Sequence, residues 1–322
     1  MEKFTSHSVN YQQFVFTINP EEPLILPSYK GSTLRGGFGY AFKRVVCAIR
    51  NKECPDCILK ERCVYSYIFE TPPPSDTKIM RKYKTVPHPF VIEPPSEKKR
   101  GYKPGDEINF GLTLIGKAID CLPYFIYTFD ELGKIGIGKG KSKYELKNVS
   151  CDGKTIYDSG TKTLKAFGTS SLYLPRCLSL PREPKDYKRE AVSLSFLTPT
   201  RLVYNGHLSI DLEFHMLIRQ LVRRISLLYY FHCGGDPSEW NFRGIINAAE
   251  AVKVTRSELR WYDWERYSGR QETRIKMGGF VGEITFEGVI EPFMPIIKAG
   301  EVLHVGKGTG FGLGRYRIAG MR

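Results

Sequence analysis

Glutamine is nearly missing from this chain. Only Gln12, Gln13, Gln220 and Gln271 occur, against 48 Lys plus Arg. Such a bias is compatible with a thermophilic source. Long apolar runs are also missing, so no membrane-spanning helix is expected. Met1-Glu2-Lys3-Phe4 leads into no apolar core of a signal peptide, and a cytoplasmic protein is the expectation. Two nucleotide-binding signatures are excluded at the one place that invites them, the glycine-rich stretch 303–317. Gly308 is not followed by a Lys-Ser/Thr pair, and no helix with an acidic ribose-binding residue follows. Acidic residues are in deficit as well: 34 Asp plus Glu leave a formal net charge of +14. That balance favours a polyanionic partner.

What is present is ample for real cores: 41% hydrophobic residues over 322 positions, with room for two domains. The stretch Leu303-His304-Val305-Gly306-Lys307-Gly308-Thr309-Gly310-Phe311-Gly312-Leu313-Gly314-Arg315-Tyr316-Arg317 alternates glycine with basic and apolar residues. Glycines permit close backbone approach, and exposed amides with cationic neighbours suit phosphate. Gly133-Lys134-Ile135-Gly136-Ile137-Gly138-Lys139-Gly140-Lys141 repeats the pattern earlier. Each loop follows an apolar segment and leads into a short alternating one, which suggests a duplicated module.

The periodicity supports this. Residues 11–18, 65–70, 107–115 and 144–149 read as strands, and 34–50 and 117–132 as helices. That order is strand–helix–strand–strand–helix–strand, the ferredoxin-like unit. A second such unit is expected from strands at 191–197, 261–267 and 280–288, a strong helix over 211–231 and a short one over 290–300. The reading is an α+β chain of tandem ferredoxin-like (RRM-like) domains. Residues 1–150 form the first, with Cys-rich and Pro/basic insertions; 151–188 connect; 189–322 form the second. The Pro-, Lys- and Arg-rich segment 71–103 is the most loop-like part, and its length points to function or motion.

Cys47, Cys54, Cys57 and Cys63 are spaced C-x6-C-x2-C-x5-C. The count suits a tetrahedral zinc site or an iron–sulfur cluster, although the paired C-x2-C spacing is absent. Disulfides and free thiols remain open. Four thiolates leave a metal no open position, so such a site would be structural and no cofactor is expected for catalysis. For contact with phosphate, Lys139, Lys141 and Lys143 flank the first glycine loop. Gly306, Lys307, Gly308, Gly310, Gly312, Gly314, Arg315 and Arg317 form the second. Arg219, Arg223 and Arg224 give the long helix a basic side. Contacts of this kind supply affinity and salt dependence.

Several stretches together resemble the CRISPR-associated RAMP superfamily, and within it the pre-crRNA processing endoribonucleases. They are Leu26-Pro27-Ser28-Tyr29-Lys30-Gly31-Ser32-Thr33-Leu34-Arg35-Gly36-Gly37-Phe38-Gly39, Pro87-His88-Pro89-Phe90-Val91-Ile92-Glu93-Pro94-Pro95, Arg223-Arg224-Ile225-Ser226-Leu227-Leu228 with Phe231-His232, and 300–314. The resemblance implies two ferredoxin-like domains that bind CRISPR repeat RNA and cut the crRNA precursor. The cut is metal-independent: a 2′-hydroxyl attacks the adjacent phosphate, leaving a 2′,3′-cyclic phosphate. It also implies a His, often with Tyr and Lys, near the first helix. Here 34–50 holds no His, while Tyr40 and Lys43 match in type and place. Of the six histidines, His304, just before the second glycine loop, is the candidate proton carrier. The alternative is a non-catalytic RAMP subunit that holds crRNA within an effector complex, with other CRISPR subunits as partners. The oligomeric state is open.

Overall fold

A computed structural model describes residues 8–50, 52–74, 77, 79–80, 86–174, 188–268 and 273–321. The chain divides into two compact units, Asn10–Ser170 with Phe231–Cys233, and mainly Ser171–Tyr230 with Gly234–Arg322.

In the N-terminal unit, strand β1 (Ser8–Pro20) alternates Phe14, Phe16 and Ile18 into the core. Helix α1 (Gly31–Val46) follows, burying Leu34, Phe38, Ala41 and Phe42 at helical spacing. Then come β2 (Phe90–Glu93), β3 (Ile108–Ile115), α2 (Leu122–Ile135) and β4 (Tyr144–Cys151). The antiparallel sheet runs β2-β3-β1-β4, with Phe16 opposite Phe110 and Val149. A further strand, β5 (Lys154–Asp158), adds to β4. The helices close the core with rings. Phe38 stacks on Phe42 at 4.9 Å and on Phe125 at 4.6 Å, and Phe110 meets Phe129 at 4.8 Å. Each such ring stabilises by about 1.5–3 kcal/mol through burial.

The C-terminal unit repeats the order. Strand β6 (Glu190–Thr200) precedes α3 (Phe214–Cys233), which buries Phe214, Leu217, Leu221, Ile225 and Leu228. The chain continues through α4 (Phe242–Ala249), β7 (Lys253–Ser257), β8 (Arg260–Tyr262), a hairpin of β9 (Glu265–Ser268) and β10 (Thr273–Lys276), and β11 (Gly279–Gly288). It ends with α5 (Met294–Leu303) and β12 (Tyr316–Met321). The sheet runs β7-β11-β6-β12, the same order as β2-β3-β1-β4. In each unit the first strand is central: β1 lies between β3 and β4, and β6 between β11 and β12. Tandem ferredoxin-like architecture therefore holds, and each glycine loop joins a unit's last helix to its last strand.

Three local expectations change. Residues 65–70 are not a strand: Ser66–Glu70 is a π-helical turn. The apolar positions Tyr65, Ile68 and Phe69 recur at helical spacing, and that periodicity prevails over their β-like composition. Phe90–Glu93 takes the second-strand place instead. The expected helix from 117 begins only at Leu122, because Gly116–Cys121 is a tighter turn. Lys154–Asp158, assigned to the connection, pairs within the first sheet. Among the described residues no helix is long and apolar enough to cross a membrane.

Candidate functional site

Helix α1 carries two groups of polar side chains. Arg35, Gly39 and Lys43 recur every fourth residue and share one stripe. Against it lie Tyr65 and Phe69 of the π-helical turn: the Lys43 ammonium sits 5.8 Å from the Tyr65 ring centre, and the Arg35 guanidinium 4.4 Å from that of Phe69. The exposed side carries Tyr40 and Arg44, one turn apart. Arg44 donates to the Tyr40 hydroxyl at 3.0 Å and lies 5.6 Å from its ring centre. Tyr40 and Lys43, expected to act together, are neighbours three residues apart on α1, although their side chains contact different partners. Both remain close to the C-terminal end, where Lys43 and Arg44 complement the helix dipole.

The fold brings a histidine to α1 that spacing did not foretell. His88 reaches Arg35, with its Nε2 2.9 Å from the guanidinium, although 53 positions separate them. No local signal marks this pair; only the π-helical turn and the pairing of β2 with β3 create it.

Most glycines of the two loops turn inward, whereas Gly140 is exposed with open space around it. At Gly314 (φ 73°) a Cβ would stand 1.8 Å from Val305 O, and at Gly136 (φ 89°) 1.8 Å from Lys141 O. The close approach is to the loop's own backbone. Much of the second loop's backbone is bonded internally: within the loop Val305 donates to Gly314 and Gly312 to Thr309, and outside it Lys307 donates to Arg201 and Gly314 to Pro199. Gly310, Gly312 and Gly314 are buried, Gly306 and Gly308 half-buried. Lys307 and Arg317 are exposed and Arg315 half-buried. In the first loop Lys139, Lys141 and Lys143 are all exposed.

His304 is fully buried, at 0% exposure, with Nδ1 3.1 Å from Leu313 O and its backbone at φ 59°. The ring is a strut inside the loop. The basic side of α3 also divides. Arg219 and Arg223 are exposed. Arg224 is buried, its Nε donating to Leu303 O at 2.8 Å, and burial lowers its pKa to about 10. Arg224 is thus a cap on the last turn of α5, not a surface cation.

The cysteines do not assemble. Among the described residues no group of three or more His, Cys, Asp or Glu is arranged to hold a metal. Cys47, Cys54, Cys57 and Cys63 are half-buried free thiols, as are Cys121 and Cys233. Cys47 Sγ donates to Ile49 O at 3.4 Å. Burial, then Glu70, pushes the Cys54 thiol up. As described, these four residues do not form a metal site, and no disulfide joins them. His7 and Cys177 lie outside the described residues.

Comparison with known proteins gives the following. Residues 194–316 match the family described as CRISPR-associated endoribonuclease Cas6, and residues 9–168 a family described as an N-terminal domain (AF_1859_N). An uncharacterized protein of Archaeoglobus fulgidus is 26% identical over 301 residues, covering 91% of this chain and 92% of the relative. Among solved structures, a Cas6 product complex superposes with TM-score 0.57 at 18% identity, covering 96% of this chain and 99% of that one. Thermus thermophilus Cas6 gives 0.51 at 16% identity, over 96% and 98%. A partial Cas6-RT-Cas1–Cas2 complex gives 0.56 at 12% identity, over 96% of this chain and 46% of that one. At these identities the superpositions establish the fold.

Proposed function

We propose that this chain, whose residues 194–316 match the family described as CRISPR-associated endoribonuclease Cas6, binds CRISPR repeat RNA and cuts the crRNA precursor once per repeat. The family match carries this reading, and the doubled ferredoxin-like topology and the net charge of +14 agree with it. The cut is a metal-independent transesterification in which the 2′-hydroxyl oxygen bonds to the adjacent phosphorus while the bond to the departing 5′-oxygen breaks. The 2′-hydroxyl gives up a proton, the 5′-oxygen takes one, and the product ends in a 2′,3′-cyclic phosphate. A cation beside the phosphorane lowers the barrier, and Lys43 of α1 fills that part. The Tyr40 hydroxyl, polarised by Arg44, orients or protonates the leaving oxygen. Buried His304 has a structural part in this reading. Lys139, Lys141, Lys143, Arg219, Arg223, Lys307, Arg315 and Arg317 supply phosphate contacts.

Incubating the purified protein with repeat RNA in EDTA tests the reading. One product bearing a cyclic phosphate is expected, with Lys43→Met slowing single-turnover cleavage about 100-fold. Tight binding of RNA that stays intact supports the second reading, a crRNA-holding RAMP subunit, which the lack of any His within α1 favours. Neither binding nor cleavage overturns both.

A further inference from the structure

The first glycine loop is one of three segments that lie side by side in the N-terminal unit. Its Lys139 bridges to Ile25, and Lys139 N donates to Ile25 O at 3.1 Å. Gly138 makes that approach possible: at φ 73°, a Cβ there would stand 2.4 Å from Ile25 O. On its other edge the short strand Leu24–Ile25 pairs with Gly101–Tyr102, and Leu26 N donates to Arg100 O at 2.8 Å. At ordinary strand spacing the two outer segments run about 10 Å apart.

Leu24 and its partner Tyr102 are buried, so the next pair along, Ile25 and Gly101, faces outward. Lys139, Ile25 and Gly101 form an exposed row across the three segments. A Cβ on Gly101 would meet nothing within 4 Å. Exposed cations stand at both ends of the row, Lys98 and Arg100 beside Gly101 and Lys141 beyond Lys139.

Buried groups fasten the segment that carries Lys98 and Arg100. Lys30, fully buried, donates from Nζ to Glu97 O at 2.7 Å. The hydroxyl of buried Tyr102 donates to the Glu97 carboxylate at 2.6 Å. The neighbouring carboxylates serve other groups. Bonds from Lys99 Nζ at 2.7 Å and Lys103 N at 2.9 Å hold the Asp106 carboxyl below its ordinary range. Glu22 accepts from Lys143 N at 2.8 Å. Among the described residues Lys98, Arg100, Lys139 and Lys141 make no ion pair. Four uncompensated cations at this spacing suit a polyanion whose charges repeat along a chain.

We propose that Lys98 and Arg100, with Lys139 and Lys141, form one phosphodiester-binding face for RNA, in which Gly101 leaves the gap that the backbone enters. The proposal rests on the RNA reading above and deepens it by joining residues 98–101 to the glycine loop. Equilibrium binding of repeat RNA and of poly(U), measured across a salt series, tests it. The double variant K98Q/R100Q should flatten the slope of log K against log[salt] by about 1.4–1.8 for both RNAs, at about 0.7–0.9 per phosphate contact. Gly101→Asp and Gly101→Asn put side chains of one shape into the same open space, at a φ outside the left-handed region. The two should share one thermal midpoint. G101D should nevertheless bind RNA about five- to tenfold more weakly than G101N at about 0.1 M salt, and the gap should close towards about 1 M as screening shortens to about 3 Å. Should K98Q/R100Q not fold, the Gly101 pair decides alone. An unchanged slope in K98Q/R100Q, or equal affinities of G101D and G101N at the lower salt, overturns the proposal. Wild-type protein that binds poly(U) with these effects but not repeat RNA would uphold the phosphate face and refute the CRISPR assignment. Binding to neither RNA refutes both.

Discussion

Two glycines of α1, three residues apart, should respond to alanine with opposite signs. At Gly36 a Cβ meets nothing within 4 Å, so only helix propensity acts. Gly36→Ala should stabilise by about 0.5–1 kcal/mol. At Gly39 the same Cβ would stand 2.2 Å from Phe69 Cζ and 2.7 and 3.0 Å from the neighbouring ring carbons. The ring cannot give way cheaply: Tyr65 stacks on it at 5.4 Å, and the Arg35 guanidinium rests on it. Overpacking of this kind costs about 1–3 kcal/mol, which outweighs the propensity gain. Gly39→Ala should therefore destabilise by about 1–2 kcal/mol, placing the two variants about 1.5–3 kcal/mol apart. Urea unfolding of the full chain, followed by tryptophan-independent far-UV signal, reads the difference. A Phe69→Ala background should reverse the sign at Gly39 by emptying the space. Equal midpoints for G36A and G39A would refute the packing of Phe69 on α1, and with it the shelf beneath Arg35.

The remaining expectations concern single groups. Cys121, whose thiol burial pushes up to about 11 from the ordinary 9, stays protonated in the fold while the unfolded chain releases its proton. Stability from this group is present below pH 9 and is lost between 9 and 11, on the order of 1 kcal/mol by pH 10; Cys121→Ala should flatten that part of an unfolding-versus-pH series. Arg223→Gln should flatten the salt dependence of RNA binding by about 0.7–0.9, whereas Arg224→Gln should lower thermal stability and leave the slope alone. His304→Leu strands Leu313 O and should cost about 1–3 kcal/mol without removing a limb of the pH–rate profile for cleavage; loss of a limb near neutral pH would return that ring to the chemistry.

The repeated architecture was legible because its carriers are periodic and local. Alternation in β1 and the three-to-four spacing in α1, α2 and α3 each fix an element's buried face. Both glycine loops recur at the same point of each unit. Residues 65–70 misled because aromatic and β-branched residues suit strands on average, yet their spacing at 65, 68 and 69 is helical. Arg224 and His304 misled for a different reason. Sequence gives residue type but not the tertiary carbonyl that a buried donor finds, here Leu303 O and Leu313 O. The His88–Arg35 bond was illegible on the same ground. It joins a proline-bounded segment to a helix start through a turn whose π-helical form no short pattern announces.

The glycine loops show how one composition can serve a requirement other than the one it suggests. Alternating glycine and lysine reads as an anion cradle, and cradles need amides directed outward. At Gly136 and Gly314 a positive φ instead lets the loop backbone fold onto itself, with clearances that no side chain could share. What such a loop presents outward is its side chains: Lys139 and Lys141 in one, Lys307 in the other, all exposed. A rigid, self-bonded loop holding lysines at its rim would contact phosphate by charge rather than by amide geometry. Charge contacts are salt-dependent and indifferent to sequence. Discrimination between RNAs then has to come from elsewhere in the chain, from groups with fixed direction.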